Sequence, residues 1–407
     1  MQTKTVCVMG LGYIGLPTAA LLANRKYQVH GVDVVQSTVD TINQGKIHIV
    51  EPDLDTFVRS AVNSGNLIAD IKPQESDVFI IAVPTPFHDG YVPNIDYVLT
   101  ATESIAPYVK DGNIIILEST SPVGTTDKVA EVLQEQGVDI SKVHIAHCPE
   151  RVLPGQIMRE LVENDRIVGG LNEEATDETA AFYKTFVSGQ ILKTDAKTAE
   201  MAKLTENSYR DVNIAFANEL SILSDKFGIN VWELISLANR HPRVNILQPG
   251  AGVGGHCIAV DPWFIVHAGG EDAKIIRTAR EVNTYKTEWA IEKIKNVALI
   301  IEKDNGKKAK VACMGLAFKP NIDDLRESPA LYITRRLIAE GLEVLPVEPN
   351  LKTSDEFELV QDEEAINDAD IIVFLVAHDE FKGIRIFGKE VFDFCGVTKY
   401  NQKKDIK

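Results

Sequence analysis

The stretch "VCVMGLGYIGLPTAALL", residues 6–22, reads as a strand, a glycine turn and a helix. Gly10, Gly12 and Gly15 form a G-x-G-x-x-G pattern between the apolar "VCVM" and the helical "LPTAALL". Such glycines permit a tight turn and let the backbone approach a pyrophosphate at the helix N-terminus. A turn needed only for helix–sheet packing would also contain glycines. The position between strand and helix favours a dinucleotide site.

The next strand predicts which dinucleotide binds. It ends in "GVD", which places Asp33 18 residues after Gly15. A carboxylate at this position binds ribose hydroxyls and repels a 2′-phosphate, and no Arg or Lys follows in "VVQS". The pattern therefore favours NAD over NADP, with Tyr13 and Ile14 beside the pyrophosphate.

Threonines follow two later strands. Thr85 lies in "VPTP", and "ESTSPVGTTDK" places Thr120 at a strand end and Thr126 at the next helix start. The carboxyl ends of parallel strands form the ligand-binding edge of such a sheet. We therefore expect Thr85 to contact the cofactor, and the same reasoning makes Thr120 and Thr126 candidate contacts.

The order of strands and helices predicts an α/β fold. Short apolar strands alternate with helical segments up to about residue 195, as in a doubly wound parallel sheet. One long helix follows at 198–227, then more helix, and a second βα pattern opens at "KVACMGLAF". We predict two Rossmann-like doubly wound domains joined by a long central helix and a helical middle domain. The predicted bounds are 1–195, 196–302 and 303–407, and the polar end "TKYNQKKDIK" is expected to fray.

Composition excludes several classes of partner. The 407 residues are 44% hydrophobic and 25% charged, which is typical of globular domains. A formal net charge of −17 argues against nucleic acid and anionic membranes as partners. The apolar runs are of strand length, so a cytoplasmic protein is expected. Five scattered cysteines without metal-ligand spacing predict no disulfide and no metal site.

The long helix carries Lys203, Asn207 and Arg210 at i, i+4 and i+7. This spacing puts the three side chains on one helix face. A solvated charged face is the ordinary alternative. The face combines two cations and an amide directly after a cofactor domain, which favours contact with an anionic substrate.

A cysteine stands in the glycine-rich stretch "QPGAGVGGHCIAVDP", residues 248–262. The bare turn leaves Cys257 open to a ligand, and neighbouring N–H groups are suited to stabilise an oxyanion. A thiolate adds to an aldehyde, and the thiohemiacetal can lose a hydride to become a thioester that water hydrolyses. This chemistry allows two oxidations at one site. A cysteine retained for packing is the alternative, and His256 is interpreted as a local hydrogen-bonding residue.

Seven ordered motifs carry a resemblance to a known family: "GLGYIGLPTA", "VPTP", "ESTSPVGT", "CPERVLPG", "KLTENS", "GVGGHC" and "GLAFKPNIDDLRESPA". Over nearly its whole length the chain resembles the UDP-glucose/GDP-mannose dehydrogenase family. Longer segments such as "LANRHPRVNILQPGAGVGGHCIAVDPWFIV" are similar to the branch that acts on UDP-N-acetyl-D-mannosamine. The resemblance implies a four-electron oxidation at C6 that uses two NAD⁺ and water.

The resemblance also implies residue roles. Cys257 is the nucleophile, Lys203 helps to remove the alcohol proton, and Glu150 assists water at the thioester. Thr120, Asn207 and Asp261 hold water, the oxyanion or the lysine. The cofactor contact in the third domain is Arg326. The implied UDP-sugar contacts are Arg151, Val152, Lys203, Asn207, Arg210, His241, Arg243, Gly254, Phe318 and Lys319.

Two further features follow from the resemblance. Arg243 is expected to reach the neighbouring subunit's site, which implies a homodimer. Many family members carry a basic residue where "DFCG" has Cys395, so anchoring of the diphosphate at this point departs from the family pattern.

Three alternatives stay open. In the first, the substrate is UDP-glucose, UDP-N-acetylglucosamine or UDP-N-acetylgalactosamine. In the second, the chain is a non-catalytic regulator that binds NAD or a nucleotide sugar. In the third, it is a two-electron β-hydroxyacid dehydrogenase. The intact Cys257, Lys203 and Glu150 argue against a regulator. The third domain argues against the hydroxyacid enzyme.

Overall fold

The computed structural model describes residues 4–255 and 257–398, so His256 and nearly all of the polar C-terminal stretch lie outside it. By its internal contacts the chain divides into two compact units. The first is Met1–Thr205 with Trp263–Ala268, and the second is Glu206–Pro262 with Gly269–Lys407. The three-domain bounds predicted from the sequence stay a prediction.

An eight-stranded sheet forms the centre of the first unit. Its strands are β1 (Thr5–Met9), β2 (Gln28–Val32), β3 (Leu67–Asp70), β4 (Val78–Ile81), β7 (Ile114–Leu117), β8 (His144–His147), β9 (Arg166–Gly170) and β10 (Ile191–Asp195). A short hairpin of β5 (Phe87–His88) and β6 (Val92–Pro93) stands apart from this sheet. The strand order is β10-β9-β8-β7-β4-β1-β2-β3.

Helices cover both faces of this sheet. They are α1 (Gly15–Asn24), α2 (Gln36–Asn43), α3 (Leu54–Asn63), α4 (Asp96–Ile105), α5 (Thr125–Glu135), α6 (Ile157–Glu163) and α7 (Glu173–Tyr183). Each face has its own apolar core, one involving α1, α3, α6 and α7 and the other α4 and α5. The central strands "VFII" and "IIIL" are therefore buried at every residue, as expected for strands covered on both sides.

The sheet differs from the sequence prediction in one respect. Strands β1, β2, β3, β4, β7 and β8 are parallel, but β9 pairs with β8 in antiparallel fashion. A buried strand has the same apolar pattern in either direction, so the sequence predicts its existence and not its direction. The sequence does not indicate the two edge strands, β3 and β10, because neither forms a continuous apolar run. Buried and exposed residues alternate in β3, and no residue of β10 is fully buried.

The long helix expected at 198–227 is confirmed as α8 (Ala196–Phe227). It is followed by α9 (Val231–Ala238), α10 (Asp261–Gly269) and α11 (Lys274–Asn305). In the second unit the apolar residues Ala290, Ile291, Ile294 and Ala298 of α11 belong to the core beneath a second sheet. This helix therefore serves both the helical region and the C-terminal fold.

The C-terminal fold is a four-stranded parallel sheet in the order β12-β11-β13-β14. Its elements are β11 (Lys310–Met314), α12 (Pro329–Ala339), β12 (Glu343–Val347), α13 (Asp362–Asp368), β13 (Ile371–Phe374) and β14 (Glu390–Asp393). One face packs on α11 and α12 and the other on α13, which confirms the second doubly wound α/β unit. Within residues 4–255 and 257–398, no helix is long and apolar enough to cross a membrane.

Candidate functional site

The glycine turn after β1 has the geometry that the sequence predicts. Gly10 has a φ of +89°, which favours glycine, and a Cβ on Gly15 would lie 1.8 Å from the Gly10 carbonyl oxygen. A Cβ on Gly12 would meet open space. The turn therefore packs tightly on the helix side and is open at Gly12, while Tyr13 is exposed and Ile14 half-buried at the start of α1.

The acidic residue at the end of β2 faces this turn. One oxygen of the half-buried Asp33 carboxylate accepts the Leu11 N–H at 3.0 Å, and the other accepts the Val35 N–H at 3.0 Å. These two bonds fix the carboxylate beside the glycine turn. Its position matches that of a ribose-binding carboxylate.

The threonines predicted at the sheet edge occupy two different surroundings. The Thr85 hydroxyl donates to the Thr120 carbonyl oxygen at 2.6 Å, because the strands that precede them, β4 and β7, are paired. Thr126 is fully buried, and its hydroxyl and its N–H donate to the Glu200 carboxylate at 2.6 and 2.8 Å. Glu200 also accepts the Gly124 N–H and so caps α5. The cofactor contact of Thr126 stays a prediction.

Glu150 follows β8 and forms a buried ion pair with Arg166. In the antiparallel register of β8 and β9, Ala146 is opposite Gly170 and His147 opposite Gly169. The same register, extended toward the carboxyl end of β8, brings Arg166 opposite Glu150. A parallel β9 would not place them together.

A second carboxylate lies behind this ion pair. Glu118 is fully buried at the end of β7, and one of its oxygens is 3.9 Å from Arg166 Nη1 and accepts the Tyr183 hydroxyl at 3.1 Å. Burial, and next the negative charge of Glu150, raise the pKa of Glu118 to about 7, although Arg166 and Tyr183 act in the opposite direction. One guanidinium therefore serves two carboxylates, and Glu118 takes up a proton as the pH falls through about 7.

This raised pKa predicts a pH-dependent stability. The group is protonated more readily in the folded chain than in the unfolded one, where its pKa is near 4.5. Its contribution to the free energy of unfolding is therefore complete below pH 4.5 and is lost as the pH rises through about 7. We expect Glu118→Gln to remove a decline on the order of 1 kcal/mol per pH unit within this window, measured by urea unfolding between about pH 5 and pH 8.

The matched control for this experiment is Glu103→Gln, at an exposed carboxylate of α4. It is expected to retain the pH slope of the wild type. Equal slopes for wild type and Glu118→Gln would show that the buried carboxylate does not titrate in this range.

The cysteine turn joins two other predicted residues. Cys257 is exposed, and its carbonyl oxygen accepts the Asp261 N–H at 2.8 Å at the start of α10. The buried Asp261 carboxylate in turn accepts Asn207 Nδ2 of α8 at 2.5 Å. A chain of hydrogen bonds thus ties the cysteine turn to α8, where the half-buried Lys203 lies one helical turn before Asn207. Arg210 lies on the same helix and is exposed.

The loop after β11 packs against the glycines that precede the cysteine. A Cβ on Gly254 would lie 3.0 Å from the Phe318 Cβ, and one on Gly255 would lie 2.8 Å from the Phe318 ring. Gly255 N–H also donates to the Arg326 carbonyl oxygen at 3.3 Å, while the Arg326 guanidinium binds Asp324. A cavity of about 420 Å³ opens here, and Phe318 and Cys395 are among its lining residues. This volume falls in the range of about 300–1,000 Å³ that is usual for small-molecule sites.

The remaining predicted substrate residues lie in three places. The Arg151 N–H donates to the Glu150 carboxylate at 2.6 Å, and Val152 is half-buried beside it. His241 and Arg243 are exposed after α9, where the Arg243 N–H donates to His241 Nδ1 at 3.3 Å. Lys319 is exposed next to Phe318.

Comparison with known proteins identifies the family. Three models of the UDP-glucose/GDP-mannose dehydrogenase family match in sequence: the NAD binding domain at residues 4–187, the central domain at 197–285 and the UDP binding domain at 312–399. The chain belongs to this family.

Individual members of the family cover nearly the whole chain. The UDP-N-acetyl-D-mannosamine dehydrogenase of Campylobacter jejuni is 56% identical over 97% of this chain and 100% of its own length. The NDP-N-acetyl-D-galactosaminuronic acid dehydrogenase of Ralstonia nicotianae is 53% identical over 97% of this chain and 96% of its own length. Among solved structures, the UDP-N-acetyl-mannosamine dehydrogenase of S. aureus is 39% identical, with a TM-score of 0.86 over 97% of this chain and 100% of that one.

The residues present fit the NAD that this family binds. The turn at Gly12 is open to a diphosphate, and the fixed Asp33 carboxylate is available to ribose hydroxyls. The NAD cofactor predicted from the sequence is confirmed by the family's NAD binding domain.

Three buried polar residues around the site were not singled out from the sequence: Arg166, Glu118 and Glu200. Arg166 lies in the apolar run "DRIVGG", and an arginine inside such a run is a signal that a buried carboxylate pairs with it. Glu118 begins the segment "ESTSPVGTTDK", where a glutamate at a strand end does not by itself indicate burial. Glu200 gave no signal, because a lone glutamate on a long helix is ordinarily solvated.

Proposed function

We propose that the protein oxidises the C6 hydroxyl of UDP-N-acetyl-D-mannosamine to a carboxylate, giving UDP-N-acetyl-D-mannosaminuronate. The observation that carries this proposal is the likeness, from end to end, to the Campylobacter jejuni enzyme of that name. The exposed Cys257, in a turn bonded to Asp261, supports a reaction of four electrons rather than two.

In the proposed reaction the cofactor is held by Gly10, Gly12, Tyr13, Ile14, Gly15, Asp33, Thr85, Thr126 and Arg326. The chemistry that bound NAD supplies is acceptance of one hydride in each of the two oxidations. The protein's own residues must then position the sugar, move protons and capture the intermediate.

Cys257 performs the capture. The first oxidation removes a hydride and a proton from the alcohol and leaves an aldehyde, which has no hydride to give until a nucleophile adds. The thiolate adds to the carbonyl carbon, and the oxygen takes up a proton to form a thiohemiacetal. Loss of a second hydride and of the hydroxyl proton gives a thioester, and water cleaves the carbon–sulfur bond to release the carboxylate and the thiol.

Lys203 is proposed to receive the alcohol proton and then to stabilise the oxyanion on the thiohemiacetal. Glu150, whose carboxylate is paired with Arg166, is proposed to activate the hydrolytic water with Thr120. Asn207 and Asp261 are proposed to hold the turn and the lysine in place, which their 2.5 Å hydrogen bond supports.

The proposed UDP-sugar contacts are Arg151, Val152, Lys203, Asn207, Arg210, His241, Arg243, Gly254, Phe318 and Lys319. They supply the local cations that an anionic diphosphate requires against the background charge of −17. Cys395 lines the C-terminal cavity without a positive charge, so the diphosphate is proposed to depend on these other cations.

A second candidate substrate differs only in the sugar. The Ralstonia nicotianae relative, at 53% identity, is named for an N-acetyl-D-galactosaminuronic acid, so UDP-N-acetylgalactosamine is the principal competitor.

A substrate panel with product mass analysis tests the proposal. The panel contains UDP-N-acetylmannosamine, UDP-N-acetylgalactosamine, UDP-N-acetylglucosamine and UDP-glucose. We expect two NADH per sugar and the highest kcat/KM for the mannosamine. A higher kcat/KM for another sugar overturns the substrate, and one NADH per sugar overturns the four-electron reaction.

We also propose a homodimer in which Arg243 reaches the partner's site. Helix α8 exposes Tyr209, Phe216 and Leu223 at heptad spacing, and Phe227 near its end. Large apolar side chains in one stripe are characteristic of an interface between helices.

The cytoplasmic location expected from the sequence stays a prediction, which cell fractionation tests.

The dimer predicts the effect of one charge in this stripe. Phe216 is 54% exposed on α8. We expect Phe216→Glu to raise the dimer dissociation constant by about 100-fold, because the substitution would bury an unpaired carboxylate at the interface. Analytical ultracentrifugation measures the shift, and activity should fall in parallel as Arg243 is withdrawn. Ile300→Glu, at a 58% exposed position of α11, is the matched control and should remain dimeric. Dissociation by Ile300→Glu alone would place the interface elsewhere.

A further inference from the structure

A buried histidine and a buried glutamate lie beneath the loop that carries Phe318 and Lys319. His378 follows β13 and is fully buried, and Glu348 follows β12 and is 4% exposed. His378 Nε2 is 3.1 Å from a Glu348 oxygen, which also accepts the N–H groups of Leu316 and Ala317 at 2.7 and 2.9 Å. The glutamate therefore fixes the two residues that directly precede Phe318.

The other ring nitrogen of His378 fixes the far side of the same loop. The Asn321 backbone N–H donates to His378 Nδ1 at 2.9 Å. A backbone N–H only donates, so Nδ1 must be unprotonated and the ring proton must lie on Nε2, which donates to Glu348. Asn350 Nδ2 also lies 3.0 Å from Nδ1. The ring thus bridges the loop in one defined tautomer, and a proton on Nδ1 would oppose two donors.

The loop between these anchors is short and conformationally constrained. Asn321 has a φ of +61°. Its Oδ1 accepts the Asp379 backbone N–H at 2.9 Å, and its Nδ2 donates to the Asp379 carboxylate at 3.0 Å. A non-glycine residue in this region persists only where its surroundings hold it. The segment 316–321 is accordingly held at both ends.

The fixed loop bears directly on the cysteine turn. The Phe318 ring is in contact with Gly255, where any Cβ would come within 2.8 Å of it, and the Phe318 Cβ approaches Gly254. Cys257 follows two residues after Gly255. A change in the position of Phe318 must therefore move the glycines or lose contact with them.

We propose that His378, by accepting the Asn321 N–H at the end of the segment 316–321, is a positioning residue that sets Phe318 and Lys319 against the cysteine turn. The inference rests on the proposed function for the identity of the bound nucleotide sugar. His378 itself touches backbone and carboxylate rather than substrate. Its loss affects affinity for the nucleotide more than the rate of the chemical steps.

Two isosteric substitutions separate its two hydrogen bonds. His378→Gln keeps an N–H in the place of Nε2 but has no acceptor for the Asn321 N–H, whereas His378→Asn keeps an acceptor in the place of Nδ1. We expect KM for the UDP-sugar to rise by about tenfold or more in the Gln variant, since a buried N–H loses its acceptor, with kcat changed less than about threefold. The Asn variant should retain most of the wild-type KM, and KM for NAD should be unchanged in both.

Three further readouts do not depend on turnover. Calorimetry with UDP alone should show the same loss of affinity in the Gln variant. The rate of Cys257 alkylation by iodoacetamide should change in the Gln variant and not in the Asn variant. Nitrogen NMR of the wild type should show His378 Nδ1 unprotonated at neutral pH.

The outcomes separate this inference from the proposed function. A protein that oxidises none of the four sugars but shows the UDP and alkylation differences retains the positioning role and loses the proposed function. Equal effects of Gln and Asn, a fall in kcat at constant KM, or a proton on Nδ1 overturns the positioning role. Should the Gln variant fail to fold, the tautomer measured on the wild type decides.

Discussion

Cys257→Ser is expected to lower the rate of uronate formation by on the order of 10³-fold or more, while NAD affinity stays at the wild-type value. The hydroxyl of serine is a far weaker nucleophile than a thiolate, so the aldehyde is not captured and the second hydride has no donor. The glycine turn and Asp33 lie in a different part of the chain, and the substitution does not alter them. Product mass and the ratio of NADH to sugar, measured in single-turnover reactions, check the expectation.

The matched control is Cys395→Ser, which makes the same exchange at the half-buried thiol that lines the C-terminal cavity. It should still form two NADH per sugar, whatever its KM. Incubating the wild type with the aldehyde-level substrate should give a sulfur-linked adduct on Cys257, detected by peptide mass spectrometry. Full uronate production by Cys257→Ser, or an adduct at another residue, would remove the thioester from the mechanism.

Local patterns account for what the sequence predicted well. The glycine turn, Asp33 and the α8 spacing each lie within one or two neighbouring elements, where backbone geometry is dictated by residue type and period. Cys257 belongs to the same class, because a run of glycines before a thiol can be read without knowing the fold. The carboxyl-edge rule likewise picked out Thr85 and Thr120, which the structure joins by a 2.6 Å hydrogen bond, while their contacts with ligands stay a prediction.

Pairings between distant strands account for what the sequence missed. The Glu150–Arg166 ion pair depends on β9 running antiparallel to β8, and no pattern within either strand encodes that direction. The His378–Glu348 pair joins the ends of β12 and β13, which are separated in the sheet by β11. In both cases a polar residue at a strand end had a partner that only the strand order reveals.

These missed residues share a physical role. Arg166 compensates the charge of Glu150. His378 and Glu348 hold the loop 316–321, which carries the predicted substrate contacts Phe318 and Lys319. Burial of polar groups of this kind costs free energy unless hydrogen bonds or an opposite charge compensate it. A sequence motif therefore indicates the residues predicted to contact the ligand, whereas the groups that orient those residues can be identified only from the tertiary structure.

Lys203→Ala is expected to lower kcat by about 10²–10⁴-fold, the usual contribution of a positioned acid–base group, with KM for the UDP-sugar changed far less. Lys203 is half-buried on α8, one turn before the Asn207 that bonds to Asp261. In the proposed mechanism its removal leaves the alcohol proton without an acceptor and the oxyanion without its cation. Steady-state kinetics with the preferred sugar from the substrate panel measures the effect.

Lys203→Arg distinguishes the two roles of the lysine. Arginine keeps the positive charge but does not give up its proton at neutral pH, so we expect substrate affinity to be retained and turnover to remain low. Lys197→Ala is the matched control, because Lys197 lies on the same helix in an exposed ion pair with Asp127 and should leave kcat unchanged. A rate for Lys203→Arg near that of the wild type would mean that charge alone is needed. A near-wild-type rate for Lys203→Ala would mean that the proton goes to another group, and the hydrogen-bonded Asp261 is then the first to test.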